Sequence, residues 1–157
     1  MTVEVDGNHY SEMIQAADDA LERAIEEMKP GISLSEIGRV VEETVTSYGY
    51  KPIDNLTGHS IKRYILHSGL SIPNVSSMRV IGKPKKGDVV AIEPFVTNGR
   101  GHVVSGEGSN IYIVKPSLRM IRERQARLFL QQLKNNFKTL PFAHRWCTKL
   151  SGYSESI

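Results

Sequence analysis

Between Ile53 and Val114 the chain is written in short β-rich runs punctuated by glycine and proline, and segments with helical periodicity lie on both sides. The runs are 63-RYILH-67, 77-SMRVI-81, 88-DVVAIEPF-95 and 111-IYIV-114, each read as a strand, and 2-TVEV-5 reads as a strand end. Ahead of them, residues 8–28 set Met13, Ala17, Leu21, Ala24, Ile25 and Met28 at three- and four-residue steps, which predicts an amphipathic helix stopped by Pro30-Gly31. In 33-SLSE-36, Ser33 and Glu36 form a capping-box pattern before Ile37, Val40, Val41 and Val45, and Gly49 is a left-handed stop for that second helix. Residues 117–135 are helical again, with Leu118, Ile121, Leu128, Leu130 and Leu133 among arginines. A second short helix is expected over 139-TLPFAHRWCTKL-150, and 151-SGYSESI-157 is polar and expected to fray.

A chain of 157 residues fits one domain, and an apolar fraction of 39% suffices for a core. Cys147 is the single cysteine, so no internal disulfide can form, and the start of the chain lacks the pattern of a secretion signal. No apolar run has the length of a bilayer span, and the expectation is a soluble, cytoplasmic protein without membrane partners.

Charge is distributed unevenly. Residues 1–50 hold eleven acidic and three basic side chains, whereas 115–150 hold nine Lys or Arg and one acid, Glu123. Such a segment is either a surface for RNA or the ribosome, or a solvated helix face.

Imidazoles and carboxylates are the donors that divalent metals accept, which makes His59, His67, Glu93 and Glu107 the residues to weigh. Glu93 lies in 89-VVAIEPF-95, an apolar strand pattern in which a bare carboxylate is costly to bury without a metal, a base or hydrogen-bond donors. His59 follows Gly58, and a glycine permits close approach of backbone or ligand. Alone, a histidine beside glycine is more often a structural hydrogen-bonding residue than a ligand. An extended 59–67 would set His59 and His67 on one sheet face, because their separation is even; His67 is then either a wall of one cleft or a half-buried residue bonded to a carbonyl. His9, His102 and His144 occupy polar, turn-like settings and are read as surface residues. Glu107, in 105-SGEGS-109, belongs to a turn, since the spacing of a phosphate-binding loop is missing.

The blocks 51-KPIDNLTGHSI-61, His67-Ser68-Gly69, Ile72-Pro73 and 87-GDVVAIEPF-95 resemble type II methionine aminopeptidase of archaeal character. The segments 29-KPGISLSEIG-38 and 136-NFKTLPFAHRW-146 resemble that family as well, the latter its helical insertion. The resemblance implies an α+β pita-bread (creatinase/methionine aminopeptidase) fold, with 1–114 a partial catalytic domain and 115–157 the type II helical insertion near the C-terminus. It further implies two divalent metal ions (Co, Mn, Fe or Zn) held by two aspartates, one histidine and two glutamates, and removal of N-terminal methionine from nascent proteins. On this sequence His59 matches the histidine ligand, and Glu93 matches a glutamate ligand that also acts as the general base. His67 matches a catalytic histidine that contacts the substrate near the scissile peptide, and Leu66 a wall of the methionine pocket.

The resemblance places the two aspartates ahead of residue 1 and the final glutamate beyond residue 157. The expectation is therefore an incomplete chain, cut at both ends, that holds two of five ligands, binds metal weakly and is inactive alone. Its partners would be peptide or nascent-protein N-termini, with ribosome association allowed and no specific nucleic acid. Two other readings share the fold: a non-catalytic relative that binds RNA or ribosome through the basic region, and a proline-directed peptidase. The insertion-like 116–150 weighs against the second.

Overall fold

The computed structural model describes residues 2–77, 81–116, 120–150 and 152–153. Within it the chain forms two compact units, one of Met1–Lys62 with Leu66–Ser105 and another of Arg63–Ile65 with Gly106–Ile157.

The first unit opens on two helices, α1 (Ser11–Glu27) and α2 (Leu34–Ser47), followed by β1 (Lys51–Pro52), β2 (Thr57–Ile61), β3 (Ser71–Pro73), β4 (Val89–Ala91) and β5 (Val96–Thr97). The helices pack on each other through small residues of α1, Ala20 and Ala24, met by Ile37, Val41 and Val45, and Ala16 is buried one turn earlier. The stripe expected on α1 is thus rotated: Ala24 lies in it, but Ile25 is half exposed, because α2 approaches the alanine face most closely. Ile72 of β3 joins this core, and Val90, Ile92 and Val96 pack against it. β2 is central in an antiparallel sheet ordered β3-β2-β4, while β1 pairs with β5.

Several expectations fail for local reasons. Residues 2–5 form no strand; Val3 and Val5 are exposed and no described strand lies beside them. The capping box is absent: Ser33 precedes α2 without a side-chain cap, and Glu36 instead pairs with Arg39, which also reaches Glu43 at 2.6 Å. That arginine holds the Glu36 carboxyl below its ordinary range. The run 63–67 is a turn rather than a strand, with Tyr64 in the left-handed region at φ 61°. In 88–95 only Val89–Ala91 form a strand, and Pro94, which has no N–H to give a ladder, lies in the stretch between it and β5. The core of 77–81 lies outside the described residues, as does Leu118.

The second unit contains β6 (Ile111–Tyr112), α3 (Arg124–Phe137), β7 (Phe142–Ala143) and a 3-10 turn over His144–Lys149. The helix expected over 139–150 is therefore a strand and a tighter turn, because Phe142 and Ala143 pair with Tyr112 and Ile111. Leu133, Phe142 and Cys147 form its core, with Phe129, Phe137 and Tyr153 around them, whereas Leu128 is half exposed. Burial raises the Cys147 thiol pKa. The α3 helix starts later than its apolar pattern suggests, at the Glu123 cap, whose carboxylate accepts the N–H groups of Gln125 (2.7 Å) and Ala126.

Two outcomes follow. At Gly38 an added Cβ would overlap the backbone carbonyl of Val75 and touch Pro73, so Gly38→Ala should destabilise the chain by about 1–3 kcal/mol in urea unfolding; an unchanged midpoint would contradict that helix-to-strand approach. The bonds from the Ala126 and Gln125 amides lower the Glu123 pKa, so the cap stabilises the folded state above the ordinary carboxylate range and is lost as pH falls through the depressed value. Circular dichroism should show acid-sensitive helix content, and that sensitivity should be smaller in Glu123→Gln.

Candidate active site

The 57-TGHSI-61 strand lies between two neighbours, which buries Gly58, His59 and Ser60 together. His59 pairs with Ser71 on one side and Ala91 on the other. A side chain at 58 would overlap the Ala91 carbonyl oxygen and lie 3.1 Å from the Glu93 amide nitrogen, so only glycine lets β4 come this near. Beyond Ala91 the chain leaves the ladder, and the Glu93 side chain turns back to set Oε1 3.2 Å from His59 Nε2. His59 is 7% exposed, while the Glu93 side chain is 37% exposed. The carboxylate is therefore at the mouth of the site rather than within an apolar strand, and the burial cost read from its neighbours is largely avoided.

His67 reaches the same place by a turn, not by the extended route considered for 59–67. The Ser68 amide donates to the Ser60 carbonyl (2.8 Å), the Ser68 hydroxyl to the Ser60 hydroxyl (2.9 Å), and the Leu70 amide to that same hydroxyl (3.0 Å). These bonds lay the His67 ring edge-on against His59, with centroids 4.2 Å apart and planes at 68°. His67 itself is exposed, and Leu66 beside it is 36% exposed. Ser60 and Ser68 are the positioning residues that sequence reading missed. The signal was present as a repeated doublet, 59-HS-60 and 67-HS-68, in which each serine follows its histidine.

On the other ring edge, His59 Nδ1 lies 3.4 Å from the Ser60 carbonyl oxygen. A proton held on Nδ1 leaves the Nε2 lone pair directed toward Glu93, the arrangement a metal-binding imidazole needs. Nε2 and Oε1 thus converge as a donor pair, but no group of three or more His, Cys, Asp or Glu able to hold an ion occurs among the described residues.

A separate cluster lies at the base of β1. His102 Nδ1 is 2.6 Å from Asp54 Oδ1, and the Asn55 amide bonds the Val103 N–H and C=O. His102 is exposed, as expected, yet tied to this loop. His9 and His144 are exposed as well, and Glu107 lies in an exposed bend.

The profile of metallopeptidase family M24 matches residues 1–122. The chain belongs to that family, whose members are metal-dependent hydrolases. It is 46% identical over 142 residues to a methionine aminopeptidase of Methanocaldococcus jannaschii, covering 90% of this chain and 48% of the relative. Against that of Archaeoglobus fulgidus the identity is 44% over 150 residues, 95% of this chain and 50% of the relative. The chain thus spans about half the length of the curated relatives it matches.

Among solved structures, methionine aminopeptidase from Thermotoga maritima aligns at a TM-score of 0.56 and 36% identity, over 62% of this chain and 39% of that one. A thermophilic Arx1 aligns at 0.71 and 18% identity, over 87% and 42%, which shows fold alone. The arrangement is accordingly that part of the pita-bread fold. No helix among the described residues is long and apolar enough to cross a membrane.

Because Gly58 is where β2 and the Glu93 segment approach most closely, Gly58→Ala should lower stability by about 1–3 kcal/mol in urea unfolding and alter the His59 ring resonances in NMR spectra. Unaltered resonances would separate Gly58 from the His59 and Glu93 geometry.

Proposed function

We propose that this chain carries part of the active site of a methionine aminopeptidase, with His59 and Glu93 as metal ligands, Glu93 also as general base, and His67 with Leu66 at the substrate. The convergence of His59 Nε2 and Glu93 Oε1 at 3.2 Å carries this reading. One buried imidazole and one carboxylate at the mouth suit a divalent ion bound on the solvent side, with the Ser60 carbonyl placed to accept a proton at the other ring nitrogen. The same pair favours the metal-dependent reading over a non-catalytic relative, which has no use for a carboxylate facing a buried imidazole.

Bound there, divalent metal supplies Lewis acidity toward the scissile carbonyl and acidifies bound water. Glu93 would then accept a proton at Oε1 and pass it to the leaving amine, a transfer its partial exposure permits. His67, clamped by Ser60 and Ser68, would offer a ring nitrogen to the substrate peptide, and Leu66 would line the pocket for the thioether side chain. Nascent-protein N-termini in the cytoplasm are the proposed substrates. Two donors do not fill the four positions of even a tetrahedral site, so the remaining ligands would come from outside the described residues.

Calorimetric titration with Mn(II) or Co(II) should give weak binding that falls more than about tenfold in His59→Ala and in Glu93→Gln, a lower bound taken from losses of outer-shell partners. His102→Ala, at the rival imidazole-carboxylate pair, should leave it unchanged. Binding that survives both site variants, or that vanishes in His102→Ala, would move the metal elsewhere. The 157 residues alone should release no methionine from a Met-Ala peptide with either metal; turnover lost in Glu93→Ala would refute the two-donor reading.

A further inference from the structure

We infer that the second unit binds single-stranded RNA, through cations along the exposed face of α3 and through the exposed rings of Tyr64 and Trp146. Every described ion pair of the molecule lies in the first unit. The second unit's described cations include Arg124, Arg127 and Lys134 on one face of α3, where helical spacing aligns them. Their only acidic neighbour on the helix, Glu123, already spends its carboxylate on the helix cap. A face of uncompensated cations attracts polyanions.

Phe129, Leu133 and Phe137 turn the apolar side of α3 into the unit's own core, and Leu128 is the one large apolar residue of the described helix left exposed, too little for a stripe that enters a lipid surface. Exposed flat rings occur in the same unit. Trp146 is 51% exposed and stacked on Phe137 at 6.2 Å, with Arg145 beside it in sequence. Tyr64 is 41% exposed, Arg63 lies 5.2 Å from its ring centre, and its carbonyl accepts the Thr139 hydroxyl, which fixes this pair beside Lys138. Cations for phosphates and rigidly backed rings for bases are the components of a surface for single strands. An acidic protein would use the cations and leave the rings idle. The surface shares no residue with the His59 and Glu93 pair.

Trp146 is the only tryptophan, which makes the test direct. Titrating the full 157-residue chain with oligouridylate at low salt should quench its fluorescence. Binding followed by anisotropy should weaken linearly in log salt, with a slope of about 0.7 per phosphate neutralised. Lys134→Ala with Arg145→Ala should lower both affinity and slope. Trp146→Ala should weaken binding about tenfold at unchanged slope, and Trp146→Phe should restore most of it, a rescue that loss of folding would not permit. Lys29→Ala, in the first unit, and Glu93→Gln should bind normally, so failure here is distinct from failure at the metal site. Absence of binding, equal binding of a base-free polyanion such as polyglutamate, preferential binding of phosphatidylserine vesicles, or quenching retained in the double variant would each overturn the inference.

Discussion

The contact between β2 and β4 at Gly58 is the constraint from which the candidate site follows. Two antiparallel strands can place a histidine opposite an alanine without bringing a carboxylate two residues further on into reach of the imidazole. Here the Ala91 carbonyl occupies the space a side chain at 58 would fill, and the Glu93 amide lies just beyond. The ladder ends at Ala91, so Glu93 is free of the strand's alternation and can turn toward His59. A glycine, with no side chain of its own, thus sets how near the Glu93 segment comes to the strand that carries His59.

The helical layer gives that contact its rigidity. Alanines on α1 bring α2 close, α2 presents Gly38 to the backbone at Val75, and β3 is thereby held against β2 from the side opposite β4. Central placement buries His59, while the serine pair at 60 and 68 carries the chain back over it without a regular strand. The result is an imidazole whose surroundings are fixed on three sides and open on the one that Glu93 faces.

The two units divide their charge differently. In the first, acids outnumber bases, and some are paired locally, as Glu36 and Glu43 are with Arg39 along α2. In the second, the described cations form no ion pair, and the exposed Trp146 ring is stacked on Phe137, itself stacked on Phe142. The asymmetry visible in the sequence is thus a difference between two separately packed bodies rather than a gradient along one surface.

By itself the sequence determined the two leading helices, the sheet-rich middle, the family and the choice of His59, His67 and Glu93, because periodicity and residue type are local properties. It misplaced the strands at 2–5 and 63–67, the helix at 139–150 and the cap at Ser33. In each case a local pattern, whether β-propensity, helical periodicity or a cap signature, was overridden by which partners were there to bond. Only the tertiary structure decided that His59 and His67 meet through a turn, that Glu93 stands at a mouth rather than in a core, and that serines hold the arrangement. Those facts depend on which backbone groups lie opposite one another across strands distant in sequence, and no single segment contains that information.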